Sequence, residues 1–353
     1  MKIAENISLA AFTTFSIGGP ARWLVEATNE EEVAEACDWA HRRGAPLLVL
    51  GGGSNLLVAD EGFAGLVLHV GLKGIERDGD LFRVAAGEDW DGFVERAVRL
   101  EFAGIECMAG IPGTVGGTPV QNVGAYGQEV ASIIERARAF DLGERTLVEF
   151  SNAECGFAYR RSRFNTTDRG RYIVTRVDCR LRQNGAAQIA YQDLKAHFAG
   201  SAKAPTLEET ADAVRSIRRS KGMLLVEGDP DCRSAGSFFK NPAVTEEVAE
   251  RVRRFAESKG VPVRVFPADD GRVKIPAAWL IEQAGFAKGY TMGAAGISSR
   301  HTLALVNFGG ATAKEILALA EKIRAAVEAR FGIRLEMEPE MVGFERQRTG
   351  NRE

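Results

Sequence analysis

The chain has 353 residues, 45% of them hydrophobic and 26% charged, which is enough for two or three compact domains with buried cores and too much for one small module. Its 45 lysines and arginines nearly balance its 48 aspartates and glutamates, arguing against nucleic acid as a main partner. No apolar run reaches the roughly 18 residues of a membrane span, and the polar opening KIAENISLAAFTTF carries no secretory signal, so a cytoplasmic protein with no membrane partner is expected.

The first seventy residues alternate strand and helix signals. RWLVEA, around 23–27, reads as a strand; Asn29 and the glutamates after it cap a helix that ends near Gly44. APLLVL, 45–50, and AGLVLHV, 64–70, have strand length and apolarity, completing a small α/β unit. From 72 to 200 strands dominate (LFRVAAG, ERARAFDL, RTLVEF, RYIVTRVDCRL), with one helix near 89–101 whose Trp90, Phe93, Val94 and Val98 recur at helical spacing. At SAKAPTLEE, Thr206 and Glu209 form a capping box that opens a basic amphipathic helix through RSIRRSK, expected to bridge two domains. The last third predicts helices near 244–258, 276–285 and 312–331, the last opened by Thr312 and Glu315 and striped by Ile316, Leu319, Ile323 and Val327. The closing RQRTGNRE reads as disordered.

Two glycine-rich runs carry the first hint of a ligand. GGGSNLLV, 51–58, directly follows a buried-type strand, and consecutive N–H groups in such a turn form a nest for phosphate oxygens, although from these residues alone a plain tight turn is the favoured reading. AGIPGTVGGTPVQNVGAYG, 109–127, has too much glycine and proline for a helix or strand, yet its Ile111, Val115 and Val123 do not suit a solvated linker. An ordered loop of this kind leaves many backbone groups in need of partners, and a large phosphate-bearing cofactor can supply them. Neither run fits the GxGxxG dinucleotide fingerprint or the phosphate loop GxxxxGK[ST].

Polar constellations elsewhere have bland readings as well as chemical ones. AYRRSRF, 158–164, is a basic face or a carboxylate clamp; LEMEPE, 335–340, reads as a terminal strand with Glu336, Glu338 and Glu340 on one face, cut by Pro339. AGSFFKNP, 235–242, crowds aromatics, Lys240 and Asn241 around Ser237 without any histidine to activate a nucleophile. Cys37, Cys107, Cys155, Cys179 and Cys232 are scattered and form no CxxC, so buried free thiols in a reducing compartment are expected. His41, His69, His197 and His301 form no HxxxH pair, and no metal site is expected.

Taken in order, TTFSIGGPA, GGGSNLLV, AGIPGTVGGTPVQNVGAYG, YRRSRF, GSFFKNP, AAWLIEQAGFAKG and EPE resemble the blocks of the UDP-N-acetylenolpyruvoylglucosamine reductases, flavoenzymes of peptidoglycan precursor synthesis. The glycine runs are shared with a wider superfamily of FAD proteins; GSFFKNP with the downstream EPE is more specific. The resemblance implies an α+β protein: a two-subdomain FAD-binding fold of the vanillyl-alcohol-oxidase-like type, 1–70 and 71–218, plus a C-terminal α+β substrate domain, 219–353. It implies noncovalent FAD and NADPH as cofactors and UDP-N-acetylglucosamine enolpyruvate as substrate; a monomer is expected. FAD would be cradled by Gly51, Gly52, Gly53, Ser54 and Asn55 in the first run, and in the second by Gly110, Ile111, Pro112, Gly113, Gly116, Gly117, Gln121, Asn122, Gly124, Ala125 and Tyr126.

NADPH would reduce the flavin and leave, and the enolpyruvyl ether would then enter the same pocket to be reduced to the lactyl ether. A carbanion so formed beside a carboxylate is basic enough for a hydroxyl to protonate, which implies Ser237 as proton donor with no need of a histidine. Arg160 would pair with the carboxylate and Glu340 would polarise or protonate the intermediate. Tyr191 matches a tyrosine that closes over the substrate diphosphate, with a half-buried strand tyrosine as the alternative; Lys221 matches a lysine that binds phosphate, and Asn241 and His301 match positions near the nucleotide sugar. The remaining readings are an FAD-linked oxidase of the wider superfamily, or a flavin-binding protein without turnover.

Overall fold

The computed structural model describes residues 1–268 and 271–344, so the expectation of disorder for RQRTGNRE lies outside the described residues. Backbone contacts divide the chain into two units: Met1–Ile7, Ala21–Gly53 and Phe63–Ser220 form one, while Ser8–Pro20, Ser54–Gly62 and the described chain from Lys221 onward form the other.

The first unit contains two sheets. One is four-stranded, in the order Ala4–Ser8, Pro20–Ala27, Phe63–Val70, Leu47–Leu50, with Pro20–Ala27 and Leu47–Leu50 both parallel to Phe63–Val70 between them. Leu66, Val67 and Leu68 are successive yet all fully buried, as an interior strand covered on both faces requires. The helix Glu30–Arg42 packs Val33, Ala36 and Ala40 into the same core as Val25 and Leu68. It starts where expected because the Asn29 Oδ1 accepts the Glu32 N–H at 2.8 Å.

The second sheet is antiparallel and five-stranded: Thr146–Ser151, Ile134–Asp141, Tyr172–Arg180, Leu81–Ala85 and Ile75–Asp78. Its core also holds one face of the helices Trp90–Arg99 and Leu207–Ser220, with Phe82, Trp90, Phe93, Phe102 and Val214 buried together. Thr206 and Glu209 form the expected box, the Glu209 N–H donating to Thr206 Oγ1 at 3.1 Å and the Thr206 N–H to Glu209 Oε2 at 2.8 Å. Leu207–Ser220 belongs wholly to the first unit, so it is a core helix of that unit and not the bridge expected between domains.

The second unit has its own core, which unites Phe15, Ile17 and Leu57 with Phe238, Phe239, Leu280, Ile316, Leu319 and Ile323. The helices Glu246–Lys259, Ala277–Gln283 and Ala313–Phe331 match expectation, and Ile316, Leu319, Ile323 and Val327 are all fully buried. The last helix is capped twice: Thr312 and Glu315 form their box, and Asp60 accepts the Ala313 N–H at 2.7 Å.

One expectation is corrected here. The stretch 335–340 is not a single strand with three glutamates on one face. Met337 bridges Phe239 in antiparallel pairing, after which the chain changes partner, and Glu340–Val342 runs parallel to Leu56–Val58. Pro339 stands at the change because it has no N–H to continue the first ladder.

Candidate active site

In the first unit the structure brings the two glycine runs together. A methyl group on Gly52 would stand 2.5 Å from the Gly113 Cα, backbone against backbone where only glycine fits, and one on Gly51 would stand 2.7 Å from the Thr114 side-chain Oγ1. Gly53, Gly110 and Gly113 have φ of 60°, 71° and 129°, in the region L side chains rarely adopt. The N–H groups of Gly52, Gly53, Ile111 and Gly113 donate to no acceptor among the described residues. A methyl on Gly117 would meet nothing within 4 Å. Unspent donors beside open space on glycine backbone suit a large phosphate-bearing ligand, which is the fit a dinucleotide flavin requires.

Not every cradle candidate is available for contact. Asn122 is buried as a strut: its Nδ2 donates to Glu129 Oε2 at 2.8 Å and to the Ala158 carbonyl at 3.1 Å, and its Oδ1 accepts the Ala131 N–H at 3.0 Å. Gly124 and Ala125 form a two-residue hairpin with Gln128 and Glu129, and Gly116 packs its Cα against Ala86. Pro112 lies between the two open donors Ile111 and Gly113, and Gln121 is half-buried farther along the loop. Ser54 and Asn55 belong to the second unit. There Asn55 Nδ2 donates to the Glu338 carbonyl at 3.3 Å and the Asn55 carbonyl accepts the Glu340 N–H at 2.9 Å.

Arg160 hangs on the second glycine run. Ser162 Oγ donates to the Val120 carbonyl at 2.7 Å, Asn122 holds Ala158, and Arg160 Nη2 donates to the Gly124 carbonyl at 3.2 Å. Arg160 is half-buried while its neighbour Arg161 is exposed, the difference expected between a clamp and a solvated charge. Its φ is 55°, and Asn122 and Tyr126 have φ of 45° and 48°; each non-glycine residue so held costs about 1–3 kcal/mol, strain that concentrates at working sites.

Tyr191 stands 47% exposed, its ring edge-on to Tyr126 at 5.3 Å. It precedes the helix Gln192–His197, which corrects the alternative of a strand tyrosine.

The second unit assembles the other candidates. Phe238 and Phe239 are fully buried and lock the segment that carries Ser237, with the Phe238 N–H donating to the Leu303 carbonyl at 2.8 Å. The Glu338 N–H donates to the Phe238 carbonyl at 2.9 Å and the Lys240 N–H to the Glu336 carbonyl at 2.9 Å. Ser237 therefore enters this short antiparallel ladder at the end where Glu340 leaves it. Ser237 is half-buried and Glu340 exposed. Lys240 and Asn241 are engaged elsewhere: the Lys240 ammonium pairs with Glu336, and Asn241 Oδ1 caps the next helix by accepting the Ala277 N–H at 2.9 Å.

His301 Nδ1 accepts the Leu303 N–H at 3.1 Å, which fixes the tautomer with its proton on Nε2. Burial, with Lys221 and Lys288 nearby, pushes its pKa down to about 4. Lys221 and His301 thus share a neighbourhood. The loop between Lys221 and Ser237 is pinned there by Arg300, which pairs with Asp229 and, at 2.8 Å, with Asp231.

Sequence reasoning missed Asp91, Arg215 and Arg218. The helix that carries the two arginines reads as basic and amphipathic, and nothing in that pattern tells a buried arginine from a solvated one. The structure buries Arg218 to 9% exposure, with its Nε donating to the Gly110 carbonyl at 3.0 Å.

Comparison with known proteins decides the family. An FAD binding domain model matches residues 21–151, and a model of the UDP-N-acetylenolpyruvoylglucosamine reductase C-terminal domain matches 229–342. The reductase of that name from Thermobifida fusca is 49% identical, over 96% of this chain and 98% of its own length. The chain belongs to the UDP-N-acetylenolpyruvoylglucosamine reductase family. Members from Streptomyces coelicolor and Pseudomonas putida are 46% and 39% identical over 96% of this chain and 90% and 98% of their own. The crystal structure of the reductase family member from Thermus caldophilus superposes with a TM-score of 0.68 at 28% identity, covering 97% of this chain and 99% of that one. The expected fold class, α+β with an FAD-binding region and a C-terminal domain, is borne out. No helix among the described residues is long and apolar enough to cross a membrane.

Proposed function

We propose that this protein is the FAD- and NADPH-dependent reductase that converts UDP-N-acetylglucosamine enolpyruvate to UDP-N-acetylmuramate for peptidoglycan synthesis, acting in the cytoplasm as a monomer. Membership of the family supports the reaction. The observation that carries the site is the ladder that puts Ser237 and Glu340, 103 positions apart in sequence, at one end of a pair of strands in the second unit.

In this reading the FAD subdomains are 1–70 and 71–218 and the substrate domain is 219–353. The residues that would hold FAD are those of the two glycine runs with unspent N–H groups, Gly52, Gly53, Ile111 and Gly113 foremost. Bound FAD supplies the two-electron chemistry between NADPH and the vinyl group. The chain's own residues must then deliver one proton and hold negative charge. Ser237 Oγ–H donates that proton to the carbon beside the carboxylate, and solvent restores it. Arg160 pairs with the substrate carboxylate as a permanent cation, and Glu340 supports the protonation. Lys221 and His301 hold the nucleotide sugar as cation and neutral donor, Asn241 adds its Nδ2, and Tyr191 covers the diphosphate.

A covalent flavin, as the oxidase alternative often uses, finds no suitable thiol at the loop. Cys107 is fully buried, its Sγ donates to the Gln188 carbonyl at 3.1 Å, and burial, with the Glu106 charge, pushes its pKa up to about 12.

Anaerobic stopped-flow spectroscopy tests the proposal. NADPH should bleach the flavin, and UDP-N-acetylglucosamine enolpyruvate should restore its colour. If only oxygen restores it, the oxidase reading replaces this one; if NADPH bleaches nothing, the protein binds flavin without turnover.

A further inference from the structure

The helix Leu207–Ser220 lies outside both matched family regions, 21–151 and 229–342, yet its Arg218 reaches the loop read above as the flavin cradle and its Arg215 reaches it through Asp91. We propose that Asp91, Arg215 and Arg218 are positioning residues for the cofactor: they hold both backbone groups of Gly110 and so keep the open N–H groups of Ile111 and Gly113 in a geometry ready for an anion. The inference rests on the FAD reading of that loop.

Gly110 is held from two sides. Its N–H donates to Asp91 Oδ1 at 2.7 Å, and its carbonyl accepts from Arg218 Nε at 3.0 Å. Arg215 grips Asp91 with two bonds, Nη2 to Oδ1 at 2.8 Å and Nε to Oδ2 at 3.2 Å, so the carboxylate cannot swing away from the loop. Arg215 and Arg218 stand three residues apart and therefore on one helical face, which lets a single rigid helix set both contacts. Gly110 has φ of 71°, a conformation that needs external support to stay unique.

The chemistry of the brace exceeds what packing demands. Burying a guanidinium costs several kcal/mol, and an apolar side chain would fill the same space more cheaply. Arginine keeps its proton even where burial lowers its pKa, so the underside of the loop carries a fixed positive charge. That sign matches the unspent N–H groups, and both favour an anionic ligand. The loop keeps other anchors if the brace is cut: Trp90 Nε1 donates to the Met108 carbonyl at 3.1 Å, and the Trp90 N–H to the Gly113 carbonyl at 3.0 Å. Loss of Arg218 should therefore loosen Gly110 without detaching the loop.

The test uses full-length Arg218→Met, Arg218→Lys and Asp91→Ala. Backbone hydrogen exchange at 110–113 in the apoprotein reads the brace with no ligand present, and flavin fluorescence quenching reads the FAD Kd. Arg218→Met and Asp91→Ala should speed exchange at Gly110 at least tenfold and raise the Kd at least tenfold, while the apoprotein melts within a few degrees of wild type. Arg218→Lys, which keeps the charge but not the planar Nε–H, should recover part of the Kd. Unchanged exchange in both variants overturns the brace. Faster exchange with a Kd within twofold of wild type overturns its role in cofactor binding. A wild-type apoprotein that takes up no FAD sinks the cofactor reading instead, and the exchange data still judge the brace. Should Arg218→Met fail to fold, Asp91→Ala and Arg218→Lys carry the same two measurements.

Discussion

Ser237 and Arg160 make different demands on their surroundings. In the proposed reaction the serine must present a hydroxyl and needs only a rigid mount, which buried Phe238 and the Leu303 carbonyl provide. Ser237→Ala should leave flavin reduction by NADPH within about twofold of wild type and slow the second half-reaction about 10²–10⁴-fold, the range of a lost general acid; equal losses in both halves would make the serine structural. Arg160 holds charge in a strained backbone, so Arg160→Gln should slow the second half-reaction about 10²–10³-fold, measured as single-turnover reoxidation. GSFFKNP is specific enough to single out Ser237 as a candidate, and the choice of Arg160 over Arg161 is supported by the first being half-buried and bonded to Gly124. Asn122 shows the opposite: a residue that looks like a ligand contact in sequence has its whole amide committed to partners within the fold, whereas Asn241 commits only its Oδ1. Composition carries no trace of such bookings, because the partners lie on other segments.

Periodic elements were the most readable part of the chain. Helices with a marked start, at Asn29, Thr206 and Thr312, form where their caps place them, and the long strands of both sheets follow their apolar runs. Thr312→Ala should cost about 1 kcal/mol in urea unfolding, with Asp60 still holding the Ala313 N–H and limiting the loss. Short elements escaped, among them Ala295–Ile297 and Leu305–Asn307, because three residues show no period. The meeting of the glycine runs escaped too, since close approach of two loops leaves no local pattern. It gives a paired prediction at this scale. Gly52→Ala must push against the Gly113 backbone and should abolish retention of FAD through gel filtration, whereas Gly117→Ala, with free space around it, should keep its apoprotein melting temperature within about 2 °C of wild type.

At the scale of the molecule, pH and chain connectivity set stability. The pKa of His301 is lower in the folded protein than the ordinary value near 6.5, so the unfolded chain takes up the proton first as pH falls. Its contribution is complete above about pH 6.5 and drains away toward pH 4, by up to about 1.4 kcal/mol for each pH unit. Urea midpoints at pH 7.5, 6 and 5 should therefore fall more steeply for wild type than for His301→Gln; parallel slopes would refute the assignment. The carboxylates held low by arginine, such as Asp229 beside Arg300, act in a lower window and cancel in that difference. Connectivity matters because the second unit borrows Phe15, Ile17 and Leu57 from segments upstream. A fragment starting at Lys221 should show no cooperative melting transition.

The change of partner at Pro339 reaches back to synthesis itself. Leu57 and Val58 end fully buried, yet the strand they belong to receives its mate only when Glu340–Val342 has left the ribosome. Until then a short greasy edge waits through most of translation, open to misassociation with other nascent chains. Slower growth in the cold, or a holdase that shields this segment, should raise the yield of active enzyme more than any substitution at the proposed catalytic residues.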